Sequence, residues 1–179
     1  MNVPRLVCLI GAESTGKTTL AQSLAAHFDG LWVPEYLREF CAQAGRTPAR
    51  VEQAHILQTQ WTRENEGLAL AGQQNKAWVF CDTAPLLTAI YSDYVFGDTS
   101  RYPVARQMHA RYALTLHLCP DIPWVADGHQ RDGAHVQPAV DRLITHQLVS
   151  LATPCARVSG LHALRLEAAV HAVAALASV

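Results

Sequence analysis

Short apolar runs alternate with longer periodic stretches along nearly the whole chain. Arg5 to Ile10 (R-L-V-C-L-I) is an apolar run that stops at Gly11, which predicts a strand. Leu20, Leu24 and Phe28 recur at four-residue spacing and predict a helix from about Gly16 to Phe28, ended by Asp29-Gly30. Leu31 to Val33 predicts a second strand, closed by Pro34. Tyr36 to Ala44 reads as helix, punctuated by Gly45 and Pro48, and a long helical stretch runs from about Arg50 to Ala71. Ala77 to Cys81 (A-W-V-F-C) predicts a third, buried strand with Asp82 directly after it. Pro85 to Tyr94 follows as helix, with proline in its first turn. A polar segment, Gly97 to Tyr102, leads into another helix. Tyr112 to Leu118 is a fourth strand, Asp121 to Val136 a polar loop, and Pro138 to Leu151 a helix. Cys155 to Ser159 is a fifth strand, and Leu161 to Ala177 a last helix. Strands alternating with helices predict an α/β fold around a mostly parallel sheet of five strands. No repeat, low-complexity tract or linker interrupts the pattern, so residues 1–179 are expected to form one domain.

Composition narrows this picture. Half the residues are apolar and 16% are charged, which suits a compact chain. The net charge of −1 argues against broad nucleic-acid binding, which needs a basic face. The first strand starts almost at the N-terminus, leaving no room for a signal peptide. The apolar stretch from Ala168 to Val179 is interrupted by His171 and is too short to span a bilayer. The five cysteines include no C-x-x-C pair and mostly fall in or beside strands. They read as buried, reduced thiols, which implies a cytoplasmic home. The nine histidines are scattered without H-E-x-x-H, so a structural metal site is not expected.

The strongest chemical signal is G-A-E-S-T-G-K-T, residues 11–18, between the first strand and the first helix. It meets the Walker A pattern G-x-x-x-x-G-K-[ST] in the strand-then-helix context that the pattern requires. Glycines let the backbone wrap phosphate oxygens, and inward amides plus the helix N-terminus favour negative charge. The nucleotide-binding stretch is Gly11, Ala12, Glu13, Ser14, Thr15, Gly16, Lys17 and Thr18, with Thr19 following in the helix. Lys17 offers a point charge to the β- and γ-phosphates of ATP, and the Thr18 hydroxyl can ligate Mg²⁺.

Ligands of such sheets gather at the carboxyl ends of strands. Asp82 closes the third strand and is placed like a Walker B acid, able to hold Mg²⁺ or accept a proton. Glu35, just after the second strand, could bond a sugar hydroxyl or act as general base. For each acid, helix capping is the plain alternative. Arg38 lies one helical turn beyond Glu35 and either meets a substrate phosphate or pairs on the surface. The segment Asp121 to Gly133 (D-I-P-W-V-A-D-G-H-Q-R-D-G) reads as a lid that excludes water, with Arg131 as its cation and Arg142 as second choice. An ordinary surface loop is the alternative, and His129 has no assigned role. The turn Val158 to Arg165 lies where adenine sits in many mononucleotide kinases, with contact expected mostly through backbone, which adds Arg165 to the nucleotide-binding set. Trp61, Tyr91, Tyr94 and Trp124 could stack on a base or pack internally. Tyr91 and Tyr94 are the better acceptor-site candidates, because they follow Asp82 on the next helix.

The ordered set G-A-E-S-T-G-K-T-T-L, V-P-E-Y-L-R-E, F-C-D-T and P-W-V-A-D-G-H-Q-R resembles the ribosylnicotinamide kinase domain of NadR-type proteins. It also resembles the wider group of AAA-labelled small ATP-binding proteins. The resemblance runs from residue 5 to about 170. It implies a nucleotide-kinase-type P-loop fold and transfer of the ATP γ-phosphoryl to the 5′-hydroxyl of nicotinamide riboside. Carried over, the phosphate loop is Gly11 to Thr18, the Walker B-like acid Asp82 and the lid arginine Arg131. Such kinases usually read D-T-D where this chain reads Asp82-Thr83-Ala84, so one acid near the acceptor is absent. The chain starts at the P-loop strand, with no adenylyltransferase domain or helix-turn-helix ahead of it. It is therefore expected to make a phosphorylated product without carrying it on to NAD.

Two other functions fit the residues. A nucleoside monophosphate kinase would need arginines over the acceptor phosphate, which Arg38, Arg46 and Arg50 could supply. A regulatory ATPase or nucleotide sensor would need no acceptor, and Ala84 keeps that reading open.

Overall fold

The computed structural model describes residues 3–125 and 134–177. Five strands alternate with seven α-helices: β1 (Arg5–Ile10), α1 (Lys17–His27), β2 (Leu31–Val33), α2 (Tyr36–Ala44), α3 (Gln53–Gln73), β3 (Trp78–Asp82), α4 (Pro85–Phe96), α5 (Tyr102–His109), β4 (Leu114–Leu118), α6 (Gln137–Val149), β5 (Cys155–Val158) and α7 (His162–Ala177). Short 3₁₀ turns at Arg50–Glu52 and Ala134–Val136 lead into α3 and α6. All strand pairings are parallel, in the order β2-β3-β1-β4-β5.

The apolar runs become strands because the central ones are covered on both faces. Alternate side chains of β1 enter opposite cores. Leu6, Cys8 and Ile10 join Val79 and Cys81 of β3 against α4 and α6. Val7 and Leu9 join Phe80 and the leucines of β4 against α1 and α7. The edge strand β5 is far less covered, so Cys155 is exposed while Cys8, Cys41 and Cys81 are buried and Cys119 is half-buried. The expectation of buried thiols therefore fails at the sheet edge. Burial pushes the Cys8 and Cys81 thiols well above the usual thiol range.

Helix ends follow local chemistry, with one departure. The left-handed residue after α1 is Asp29 (φ 49°), not Gly30. Gly30 is required for space, since a Cβ there would lie 2.8 Å from the Trp78 carbonyl. Gly97 (φ 63°) ends α4 in the left-handed conformation glycine favours, and its amide donates to the Asp93 carbonyl at 2.8 Å.

Register determines where chemistry can gather. Leu9 pairs with Asp82, and Ile10 with His117, so the C-terminal ends of β1, β3 and β4 lie side by side. The chain crosses from one side of β1 to the other between β3 and β4. That topological switch opens a crevice at the carboxyl ends of the strands.

Candidate functional site

The loop from Gly11 leaves β1 at this crevice. Two of its residues have positive φ: Ser14 at 56° and Gly16 at 79°. At Gly11 the need is space, because a Cβ would lie 2.7 Å from Thr15 Oγ1 and 3.0 Å from the Leu118 carbonyl. The buried Thr15 hydroxyl donates to the Ala12 carbonyl at 2.9 Å, which fixes the turn from inside. Lys17 Nζ folds back and donates to the Gly11 and Ala12 carbonyls, both at 3.0 Å. The ammonium is thus half-buried and held over the loop rather than facing open solvent. Thr19, in the first turn of α1, is exposed and lines the same cavity.

Asp82 ends β3 and is 1% exposed. Its Oδ2 accepts from the Thr18 hydroxyl at 2.5 Å. Its Oδ1 is buried and has no hydrogen-bond partner among the described residues. Burial raises the Asp82 pKa, and Lys17, the Thr18 hydroxyl and Arg38 pull it back down. A buried carboxylate with one orphaned oxygen beside a threonine hydroxyl suits a hard divalent cation with oxygen ligands. The next residue, Thr83, holds φ 83°, uncommon for a β-branched side chain, and its amide donates to the Leu9 carbonyl at 3.0 Å. The strained turn thereby locks the end of β3 to β1.

Glu35 is the N-cap residue of α2 but makes no side-chain cap bond. The capping alternative for this acid is therefore not what the side chain does. Its Oε1 lies 3.5 Å from the Thr83 hydroxyl, beside the end of β3. Asp82 does not cap either, since the N-cap of α4 is the fully buried Ala84.

Two cavities of about 430 Å³ each flank these acids. One lies over the phosphate loop, walled by Ser14 to Thr19, Arg38, Ile122, Pro123 and Val125. The other is lined by Glu13, Glu35, Gln53, Leu87, Thr88, Tyr91 and Phe96, among others. Lys17 and Arg38 line both, so the cavities meet at these two cations. Tyr91 borders the second cavity, whereas Tyr94 is 36% exposed and is not in its lining. Trp61 packs under the Arg111 guanidinium, 3.5 Å from its ring centre, away from either cavity lining. Trp124 is half-buried.

The arginines separate by role. Arg46 lines the second cavity but is held by Glu52 through bonds of 2.7 and 2.9 Å. Arg50 pairs with Asp98 at 3.3 Å. Arg38 and Arg46 thus line the same cavity, and Arg50 is not in its lining. Arg131, the lid arginine of the sequence reading, and His129 lie outside the described residues. Arg142 is exposed on α6.

Arg165 is 5% exposed and braces the loop from below. Its guanidinium donates to the carbonyls of Thr15 (2.8 Å), Gly160 (2.9 Å) and Cys119 (3.1 Å), and pairs with the Asp121 carboxylate. Those bonds hold the side chain beneath the phosphate loop, which makes it a support of that loop. Two further supports tie the loop to distant segments. Gln137 Nε2 donates to the Glu13 carbonyl at 2.6 Å, and the Ser14 hydroxyl bonds the Val125 backbone in both directions, at 3.0 and 2.9 Å. No sequence signal marked these, because each joins positions more than a hundred residues apart.

Comparison with known proteins bears on the family and the fold. The AAA domain family matches residues 6–165. No curated protein sequence matches the chain. Among solved structures, a NadR protein in complex with NR superposes with a TM-score of 0.82 at 22% identity, over 99% of this chain and 50% of that one. The chain thus spans about half the length of that protein. A NadR protein in complex with NAD and AMP-PNP gives 0.80, again at 22% identity and over 99% and 50% of the two chains. Thymidylate kinase from Ehrlichia chaffeensis gives 0.67 at 14% identity, over 97% of this chain and 98% of that one. These likenesses establish a P-loop fold of nucleotide-kinase type, as the resemblance implied. The chain belongs to the AAA domain family of P-loop proteins.

Proposed function

We propose that the chain is an ATP-dependent small-molecule kinase whose acceptor is a nucleoside, with nicotinamide riboside the first candidate. The observation that carries this reading is the meeting of two cavities at Lys17 and Arg38, with Asp82 and Glu35 beside them. The cavity over the loop suits a triphosphate, because its amides and Lys17 supply positive potential. The second cavity is concave and largely apolar, with a few polar groups, as a nucleoside site should be. Nicotinamide riboside comes first because the NadR likeness covers almost the whole chain.

Thr18 and Asp82 would hold Mg²⁺, which supplies charge neutralisation for the phosphates when bound. The chain's own residues do the rest. The acceptor hydroxyl lies in line with the γ-phosphorus, its oxygen forms the new P–O bond, and the bond to the β-phosphate oxygen breaks. Glu35 takes the hydroxyl proton. Lys17 and Arg38 stabilise charge on the transferring group. Arg131, outside the described residues, would add to this by the resemblance. A monophosphate acceptor is a poorer fit, because Arg46 and Arg50 are already paired with Glu52 and Asp98. A cytoplasmic setting suits the unpaired thiols.

Acceptor screening by mass spectrometry tests this, with Lys17→Ala as blank. Phosphate should appear on nicotinamide riboside in preference to any nucleotide. Tight ATP binding without transfer to any nucleoside in a broad panel would sink the proposal.

A further inference from the structure

Behind the acceptor cavity lies a buried polar chain that the reaction as proposed does not use. It starts at Tyr36, the residue after Glu35. The buried Tyr36 amide donates to Gln60 Oε1 at 2.9 Å. Gln60 is 1% exposed, on the inner face of α3. Its Nε2 donates to Glu64 Oε1 at 3.3 Å. Glu64 is fully buried one turn further on, and its Oε2 accepts from Tyr112 Oη at 2.7 Å and Arg111 Nη2 at 2.5 Å.

The chemistry of this chain has only one consistent direction. The Tyr36 backbone N–H can only donate, so the Gln60 atom that faces it must be the acceptor oxygen. The Gln60 amide must therefore turn its NH₂ toward Glu64, which leaves its carbonyl oxygen facing Tyr36. That oxygen takes the first backbone amide of α2, one of the donors a helix start leaves unsatisfied. The residue that would ordinarily serve this helix start from the N-cap is Glu35, and its side chain does not.

We propose that Gln60 is the positioning residue for Glu35. By holding the first amide of α2, it fixes the backbone from which the Glu35 carboxylate reaches the acceptor cavity, and Glu64 fixes Gln60. The role assigned to Glu35 rests on the kinase reading, but the positioning itself does not.

The test pairs kinetics with a direct signal from Glu35. Gln60→Met keeps the volume and removes the acceptor oxygen. Its kcat for transfer to the nucleoside should fall by about tenfold or more, as misplacement of a reacting group does. Affinity for a non-hydrolysable ATP analogue should stay within about twofold, because that site is held by other bonds. The ¹³C resonance of the Glu35 carboxyl should move in the ligand-free protein. Glu64→Gln is the second variant, for use if Gln60→Met does not fold. It keeps size and polarity but lets the Gln60 amide turn over, and should give a smaller change of the same kind. If wild type transfers phosphate and both variants match it in kcat, the proposal is overturned. If wild type transfers to no acceptor, the kinase reading falls and the carboxyl resonance alone decides. An unmoved resonance then overturns the positioning role, and a moved one sustains it.

Discussion

Asp82 sits where a carboxylate is least comfortable without a cation. It is 1% exposed, and only one oxygen has a hydrogen-bond partner among the described residues. Burial raises its folded pKa above the unfolded value, so the folded state binds the proton more tightly. The associated stability is full below the unfolded pKa and is lost as pH rises through the folded one. At neutral pH the ionised group therefore works against the ligand-free fold. Asp82→Asn should raise the ligand-free melting temperature at neutral pH by about 2–4 °C. The same change should lower Mg²⁺-dependent transfer by roughly a hundredfold or more. Calorimetry showing a lower melting point at neutral pH would count against this account. If Asp82 holds the cation as proposed, wild-type kcat/KM for MgATP should also lose activity on the acid side at a pH above the ordinary aspartate range, since the protonated acid is a poor ligand. Lys17 differs in kind. The half-buried Lys17 lines both cavities, so water can take its place at the Gly11 and Ala12 carbonyls. Lys17→Ala should stay folded, melting within about 2 °C of wild type, while transfer drops by roughly a hundredfold or more. A lost circular-dichroism transition would contradict it.

The elements of the site differ in how far they could be read from the chain. β1, β2 and α2 have the bounds that hydrophobic runs and punctuation predict, because those signals are local. The phosphate loop was legible for the same reason, since glycines, lysine and threonine act within eight consecutive residues. Strand order was not, because it is decided by which faces pack together. Nothing singles out Gln60 and Glu64 within the predicted helix, and only the fold reveals that they lie on the buried side of α3. Arg165 shows the same limit. Its position near the turn after β5 suggested adenine, yet its guanidinium ties α7 to the loop, to β4 and to Asp121. Arg165→Ala would leave three carbonyls and a carboxylate short of a donor. Asp121 can still reach water, its side chain being 37% exposed, so the loss should be roughly 2–3 kcal/mol rather than that of a fully buried pair. Urea denaturation measures that loss. KM for ATP should rise with it, because the Thr15 end of the loop is no longer held. A variant with wild-type stability would show that the brace carries no strain.

At the scale of the molecule, the parallel sheet brings the ends of β1, β3 and β4 to one crevice, and the two cavities are its two halves. Under the proposed function, neither cavity contains the whole reaction. Lys17 and Arg38 belong to both, so ligands in the two halves meet the same two cations. A single molecule filling both halves should behave differently from two separate ligands. Its second half binds at the effective concentration that the linkage sets, with no further loss of free translation. A nucleoside joined through its 5′-oxygen to the terminal phosphate of an adenosine oligophosphate has that form. It should raise the melting temperature more than the nucleoside and ATP analogue together at equal concentrations, by an amount that grows with its own affinity. Phosphate number should matter, because too short a bridge cannot place both ends at once. The gain should shrink in Arg38→Ala, which removes a cation common to both halves. Equal stabilisation by the joined and the separate ligands, at every bridge length, would mean that the cavities are independent sites. The donor and acceptor halves would then have to be sought elsewhere on the sheet.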